Sequence, residues 1–358
     1  MREERAMERA IELAWRGWGR VHPNPLVGAV VLDAAGAVAG EGWHAGFGGP
    51  HAERDALEEA GDRARGGTLV VSLEPCRHRG KQPPCTEAIL AAGVARVVFA
   101  LEDPNPEAGG GAEALRSAGL SVEGGLLHGA AAAQNAPFLG RWSTPDRPWV
   151  ALKLATSLDG RIADRFGRSR WISGRESHEF VHWLRAGVDA IGVGGATARV
   201  DDPSLTVRGA VEPRTPPLRV IFDRSGMLPT TLRLLDTARE LPTCVVAGAL
   251  LSGERAQAIE AASARLVRST SLHHGLVELR RLGVLSLLVE GGGQLAGALL
   301  AEGLVDRYYW IQSPVWLGDG GVPAIAGLPG AELATAERWT IVERRALGED
   351  TLLVADRL

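Results

Sequence analysis

"GGTLVVSLEPCRHRGKQPPC", residues 66–85, carries two of the three cysteines in the chain. Its first half is a glycine turn followed by a short apolar run, which predicts a strand. That strand leads into a basic, proline-rich loop holding Cys76 and Cys85. On either side the apolar period changes. "HAERDALEEAG" (51–61) predicts a helix with glycine at its C-terminal end. "TEAILAAG" (86–93) predicts a short helix capped by Thr86, and "ARVVFALEDP" (95–104) another strand. Further upstream, 3–17 has amphipathic helical spacing, "PLVGAVVLD" (25–33) reads as a buried strand and "AVAGEGWHAG" (37–46) as its hairpin partner. A helix opens at Gly109–Gly111. Strands alternating with helices predict an α/β layer fold.

The chain has 358 residues, 45% hydrophobic and 23% charged. This is ordinary globular composition, long enough for two domains. A net charge of −4 argues against a nucleic-acid partner. No apolar run reaches signal-peptide or membrane-span length, so the expectation is a cytoplasmic protein without a membrane partner. In a reducing compartment a cysteine pair points to metal or catalysis rather than a disulfide. Lys81 and Lys153 are the only lysines among 39 Lys plus Arg. Lysine and arginine differ in hydration and geometry, which marks these two as candidates for chemistry.

A boundary is expected near "GRWSTPDRPW" (140–149), dividing the chain into 1–146 and 147–358. The apolar pattern restarts at "WVALKLATSLDG" (149–160). A helix near 175–186 and strands at 189–195, 218–223 and 243–249 follow. "LSLLVEGGGQLAGALL" (285–300) is a strand turning into a helix, and "RYYWIQSPVWLG" (307–318) is a last apolar strand, a candidate dimer interface. No internal repeat is visible.

His51 and Glu53 open the 51–61 helix as H-x-E. With Cys76 and Cys85 they supply three zinc ligands and a fourth, open position at which the metal acidifies water. Glu53 is then a proton carrier rather than a ligand, an arrangement used by zinc deaminases. A structural zinc needs a fourth protein ligand and has no use for Glu53. His78 is a rival ligand; a thiolate in a proline-fixed turn is the better zinc donor. In the second half, Gly291–Gly293 before a helix makes a phosphate-binding loop, and "GVGGAT" (192–197) is a second glycine loop. Two such loops argue for a dinucleotide cofactor outside the standard Rossmann order. "HEFVH" (178–182) matches the H-E-x-x-H zinc motif literally. No convincing third ligand follows, so it reads as chance.

The long spacing in "EPCRHRGKQPPC", with "HPNPLVGAVV" (22–31), "GEGWHAGFGGPHAE" (40–53) and "EDPNP" (102–106), resembles the riboflavin-biosynthesis deaminases. "KLATSLDGRIA" (153–163), "SRWISG" (169–174), "LRAGVDAIGVGGATARVDDPSLTVR" (184–208), "RVIFD" (219–223) and "VEGGGQLAGALL" (289–300) are similar to the reductase domain fused to them. The resemblance implies a cytidine-deaminase-like three-layer domain followed by a dihydrofolate-reductase-like α/β domain, with Zn²⁺ and NADPH as cofactors. It implies zinc-dependent deamination of 2,5-diamino-6-(5-phosphoribosylamino)pyrimidin-4-one to 5-amino-6-(5-phosphoribosylamino)uracil. NADPH-dependent reduction of the ribosyl chain to ribityl follows. Asn24 and His44 are expected in the pyrimidine pocket. NADPH positions fall on Ala155, Trp171, Thr197, Asp201, Gly292, Gly293, Gln294, Leu295, Ala296, Gly297 and Ala298. Substrate positions of the reductase fall on Lys153, Ser169, Arg185, Leu205, Arg208 and Glu290. Arg185 and Arg208 suit the substrate phosphate. Lys81 and Arg79 are further phosphate candidates, or a solvated basic loop. Arg77 stands where the family has serine, and the Gly109–Gly111 segment is shorter than usual. A homo-oligomer, dimer or higher, is expected. Alternatives are a deaminase of another nucleobase fused to a nucleotide-binding domain, and a non-catalytic zinc module.

Overall fold

The computed structural model describes residues 2–170 and 172–357. The chain divides into two compact units, Met1–Ser143 and Thr144–Leu358. The expected 146/147 division lies just beyond this point, because the polar stretch read as linker begins inside a helix.

The first unit runs α1 (Arg2–Ala14), β1 (Gly28–Leu32), β2 (Val38–Trp43), α2 (Ala52–Ala60), β3 (Thr68–Leu73), α3 (Cys85–Ala92), β4 (Arg96–Leu101), α4 (Gly111–Ser117), β5 (Ser121–Gly124), α5 (His128–Gln134) and α6 (Ala136–Ser143). Its sheet has the order β2-β1-β3-β4-β5. β1 is antiparallel to both β2 and β3, while β3, β4 and β5 are parallel. α1 and α5 pack on one face and α2 and α3 on the other, giving three layers. Both faces must be apolar in such a sheet, and β1 and all but the first residue of β3 and β4 are buried. α2 lies close on β2 because Gly42 has no side chain. A Cβ there would stand 2.5 Å from the backbone nitrogen of Ala56. α3 starts at Cys85 with Pro84 as its cap. The expected Thr86 cap is therefore corrected: Thr86 is buried and its N–H donates to the Cys76 carbonyl at 3.3 Å.

The second unit runs β6 (Trp149–Thr156), β7 (Arg161–Ala163), α7 (Arg175–Ala186), β8 (Ala190–Gly194), α8 (Gly195–Asp201), β9 (Leu218–Asp223), α9 (Arg233–Asp236), β10 (Thr243–Gly248), α10 (Gly253–Ala261), β11 (Arg265–Ser269), α11 (Leu272–Arg281), β12 (Ser286–Val289), α12 (Gly293–Ala301), β13 (Arg307–Gln312), β14 (Val322–Pro323), β15 (Trp339–Leu347) and β16 (Asp350–Arg357). Nine strands form one sheet in the order β11-β10-β9-β8-β12-β6-β13-β16-β15. The strands from β11 to β13 are parallel, and β16 and β15 add an antiparallel edge. Side chains alternate between two cores. Val220 and Phe222 of β9 join Leu152, Leu287 and Leu299 on one face, while Ile221 joins Ile191, Leu234 and Val245 on the other. β13 is paired on both sides, by β6 and β16. It therefore offers no free strand edge for the dimer contact expected of it; only the segment beyond it exposes large apolar side chains, Val315 and Trp316. Among the described residues, no helix is long and apolar enough to cross a membrane.

Candidate functional sites

The first site collects three element ends. His51 caps α2 in an extended conformation, which leaves Glu53 in the first turn. Cys76 follows the end of β3, and Cys85 is the first residue of α3. His51 Nδ1 lies 3.2 Å from Cys85 Sγ and 3.5 Å from Cys76 Sγ. All three donor atoms lie within 4.8 Å of one another. A tetrahedral zinc with ordinary Zn–S and Zn–N bonds has an N–S edge of about 3.5 Å, so the cluster is already close to the shape that ion requires. Two thiols and an imidazole also make a zinc-type donor set. The cluster shares protons accordingly. Hydrogen bonds from the Cys85 thiol and backbone N–H, together with His51, pull the Cys76 thiol down. Cys85 moves up, because it donates to Cys76 and is buried. The hydrogen bond to Cys76 raises His51. Glu53 is buried, and burial pushes its carboxyl above the usual range.

A cavity of about 270 Å³ opens over this cluster. His51, Glu53 and Cys76 line it from one side, and Asn24, His44 and Lys81 join them. His44 Nδ1 is 2.8 Å from the Pro50 carbonyl, which can only accept, so Nδ1 carries the proton. Nε2 then accepts from the Asn24 amide at 3.1 Å. Burial lowers the His44 pKa, consistent with this neutral tautomer. The 77–84 loop divides its cations. Lys81 lines the cavity with its Nζ 3.9 Å from the Phe47 ring centre. Arg79 is 70% exposed and pairs with Glu87 at 3.3 Å, and Arg77 is exposed; neither lines the cavity.

The second site lies at the C-terminal ends of β6, β8 and β12. β8 and β12 are parallel neighbours, and each ends in a glycine loop. The Gly194 N–H donates to the Gly291 carbonyl at 2.9 Å, joining the loops. Gly291 has φ +96, a region that favours glycine. A Cβ on Gly292 would stand 2.7 Å from Thr197 Oγ1. The backbone is thus bare where α12 begins, as a phosphate-bearing cofactor requires. Gly293 and Gly297 serve packing instead: their α-carbons press on the Pro323–Ala326 backbone. Beside the loops, one residue past the Leu152–Val289 pair of β6 and β12, come Lys153 and Glu290. Arg185 of α7 holds Glu290 with two bonds, Nε–Oε1 at 2.6 Å and Nη2–Oε2 at 2.9 Å. Burial raises the Glu290 carboxyl, but Arg185 and Lys153 outweigh it and leave the pKa lowered. Burial also lowers Lys153.

Two family models match the chain: "Cytidine and deoxycytidylate deaminase zinc-binding region" over residues 1–101 and "RibD C-terminal domain" over 148–353. The riboflavin biosynthesis protein RibD of Aquifex aeolicus is 38% identical over 354 residues, 98% of this chain and 97% of that one. RibD of Escherichia coli is 39% identical over 370 residues, 99% of each chain. The chain belongs to the RibD family. The solved Acinetobacter baumannii RibD superposes with a TM-score of 0.83 at 35% identity, covering 100% of this chain and 99% of that one. A Thermotoga maritima structure, described as a diaminohydroxyphosphoribosylaminopyrimidine deaminase/5-amino-6-(5-phosphoribosylamino)uracil reductase, has the same score and identity, again over 100% and 99%. The two-domain architecture, deaminase-like and then reductase, is that of the RibD family.

Ser169 and Asp201 meet through a 3.2 Å hydrogen bond, and Asp201 and Thr197 both belong to α8. Ala155 lies further along β6, while Gln294, Leu295, Ala296 and Ala298 belong to the first turns of α12. Trp171 lies outside the described residues. Sequence reasoning missed Asn135, whose amide grips Leu26 by N–H···Oδ1 at 2.8 Å and Nδ2–H···O at 3.0 Å, fixing the strand entry after Asn24. It also missed Glu74, which accepts from the backbone N–H groups of Asp103, Gly110 and Ala112. The "EP" before Cys76 was the available signal. Glu74 is how the short Gly109–Gly111 segment is anchored. "HEFVH" does not make a metal cluster: among the described residues, His51, Cys76 and Cys85 are the only group of three.

Proposed function

We propose that this chain is a bifunctional enzyme of riboflavin biosynthesis. It deaminates a phosphoribosylated diaminopyrimidinone in its first unit and reduces the ribosyl chain of the product in its second. The observation that carries the reading is the convergence of His51, Cys76, Cys85 and buried Glu53 under one cavity. A structural metal has no use for that carboxyl.

His51, Cys76 and Cys85 would hold zinc, which would supply Lewis acidity and an acidified water. Glu53 would carry the protons of the deamination on a carboxyl oxygen, delivering one to the ring nitrogen and one to the departing ammonia. Asn24 and His44 hold the pyrimidine; the fixed tautomer of His44, with Nδ1 on the Pro50 carbonyl and Nε2 on the Asn24 amide, orients that amide toward the ring. Lys81, which lines the cavity, faces the substrate phosphate, a role that Arg79, outside that lining, does not share. In the second unit NADPH, when bound, supplies the hydride. The 292–298 segment at the start of α12, with Ala155, Trp171, Thr197 and Asp201, would hold it, and the backbone without side chains at Gly291–Gly292 would admit its phosphates. Lys153 and Glu290 orient the opened sugar chain, with Ser169, Leu205 and Arg208 around it. Arg185 spends two of its donors on Glu290 and a third on the Thr206 carbonyl. That favours fixing Glu290 over gripping a phosphate. The reading places the enzyme in the cytoplasm as a homo-oligomer; the edge strand β15, with Ile341 and Val342 exposed, supports the latter.

The test is a parallel assay of ammonia release, NADPH oxidation and bound zinc. Glu53→Gln should keep one zinc and normal reduction of the deaminated substrate while losing deamination by about 10²–10⁴-fold. Full deaminase activity in that variant would remove Glu53 from the mechanism.

A further inference from the structure

We propose that His182 is a positioning residue of the reductase site, its neutral imidazole holding the 204–208 segment in the conformation that contacts substrate. The proposal rests on the reductase reading above. His178, His182 and Arg185 stand at i, i+4 and i+7 of α7, on one face of the helix. The start of α7 is fixed, since Asp350 of β16 accepts from the Gly174 N–H at 2.7 Å and the Ser177 hydroxyl at 2.6 Å. From this anchored helix two side chains reach the 204–208 segment. The Arg208 N–H donates to His182 Nδ1 at 3.1 Å, and Arg185 Nη1 donates to the Thr206 carbonyl at 2.9 Å. The segment needs such ties. Leu205 is buried with φ +48, a backbone region that a leucine avoids unless its neighbours hold it there. Arg208, whose guanidinium also donates to Ser204 Oγ at 3.1 Å, hangs on the same short stretch.

The tie works only with a neutral imidazole, because Nδ1 must offer a lone pair. Four groups face His182 from three elements, the guanidiniums of Arg185 and Arg208 favouring that state and Glu290 and the Thr206 carbonyl opposing it. Arg185 comes from its own helix, Arg208 and the Thr206 carbonyl from the segment, and Glu290 from the end of β12. Glu290 is already bonded to Arg185. Burial, then the two guanidiniums, lower the His182 pKa. Protonation at acid pH turns Nδ1 into a donor, breaks the bond to Arg208 N–H, and frees Leu205 to relax. The second histidine of "HEFVH" thus has work that needs no metal.

The experiment is reduction kinetics of the full-length enzyme with the deaminated phosphoribosylamino substrate, followed by NADPH oxidation between pH 5 and 8. His182→Leu removes the acceptor; His182→Gln keeps a neutral acceptor that cannot titrate. The Leu variant should raise KM for substrate about tenfold with kcat and the NADPH KM within about twofold, a loss of about one hydrogen bond. The wild-type substrate KM should rise as pH falls below the usual histidine range, and the Gln variant should keep a low KM with that rise abolished. An unchanged KM in the Leu variant, or an undiminished acid rise in the Gln variant, overturns the proposal. If the Leu variant does not fold, the Gln pH profile decides alone. Wild-type enzyme that oxidises no NADPH with this substrate would instead defeat the reductase reading.

Discussion

Arg185→Met should destabilise the second unit strongly, and the size of the effect should depend on pH in a definite direction. The Glu290 side chain is only 9% exposed and receives two charge-assisted bonds from Arg185. Removing one partner of a buried pair costs about 3–5 kcal/mol, mostly as the uncompensated charge left behind. Lys153 stays beside Glu290, so the lower end applies, about 3 kcal/mol. For a unit of this size each kcal/mol moves Tm by about 2–4 °C, giving a fall of about 6–12 °C at pH 7. In the wild type, burial raises Glu290 and Arg185 more than reverses this, so its folded pKa lies below its unfolded value. Its contribution is full above the unfolded pKa and lost as pH falls through the folded one. Without Arg185, burial dominates and the folded pKa moves above the unfolded value. The variant then regains stability as pH falls, and its Tm gap to wild type should narrow between pH 7 and 5. Calorimetry of the full chain measures this in the transition that added NADPH shifts upward. Arg185→Met/Glu290→Gln should recover more than half of the loss at pH 7. A gap below about 2 °C at pH 7, or one that does not narrow toward pH 5, would refute the reasoning.

Cys85→Ser should abolish stoichiometric zinc binding and deamination while leaving NADPH-dependent reduction intact, as read by metal analysis and the two assays. Asn135→Ala should cost about 2 kcal/mol by leaving the Leu26 N–H and carbonyl without partners. It should also raise the deaminase KM, since Asn24 lies just upstream; thermal melts and initial rates check both. Glu74→Leu should leave three backbone donors unsatisfied, at about 1–3 kcal/mol each at most. Amide exchange should rise at Asp103, Gly110 and Ala112 ahead of the rest of the unit.

The strand into "EPC", the helix opening at His51 and the glycine loops were legible because each is written in adjacent residues. The period of "TLVVSL" and the glycine after "HAERDALEEA" need no distant partner to be read. What was not legible depends on pairing across the chain. β15 and β16 flank a Gly348–Glu349 turn but show no clean strand alternation, and their place at the edge beside β13 follows only from the completed sheet. α6 was hidden because "GRWSTPDRP" is rich in turn formers; Phe138 and Arg141, which line the zinc-site cavity, keep that helix against the unit. The Thr86 cap was a sound local expectation. It failed because Cys85 must stand at the helix start to meet His51, and Pro84 fixes the chain there.

The same device fixes geometry in both units. An acidic side chain accepts backbone N–H groups from segments far away in sequence. Glu74 ties the end of β3 to the 103–112 loop. Asp189 accepts from Leu285 N and Ser286 N and sets the register of β8 against β12. Asp306 accepts from Val150 N while bonded to Arg147, placing β6 beside β13. Asp350 pins α7. Backbone donors at loop and helix starts need such acceptors, since an unpaired buried N–H is costly. An acid with two or more acceptor sites can serve two segments at once, which no apolar contact does directionally. Glu53, Lys153 and Glu290 therefore sit on backbone that is tied down independently of them. A substitution at Glu53 or Lys153 should change chemistry first and fold second, one at Glu290 should change both because it also breaks the buried Arg185 pair, and at Glu74, Asp189, Asp306 and Asp350 the fold should change first.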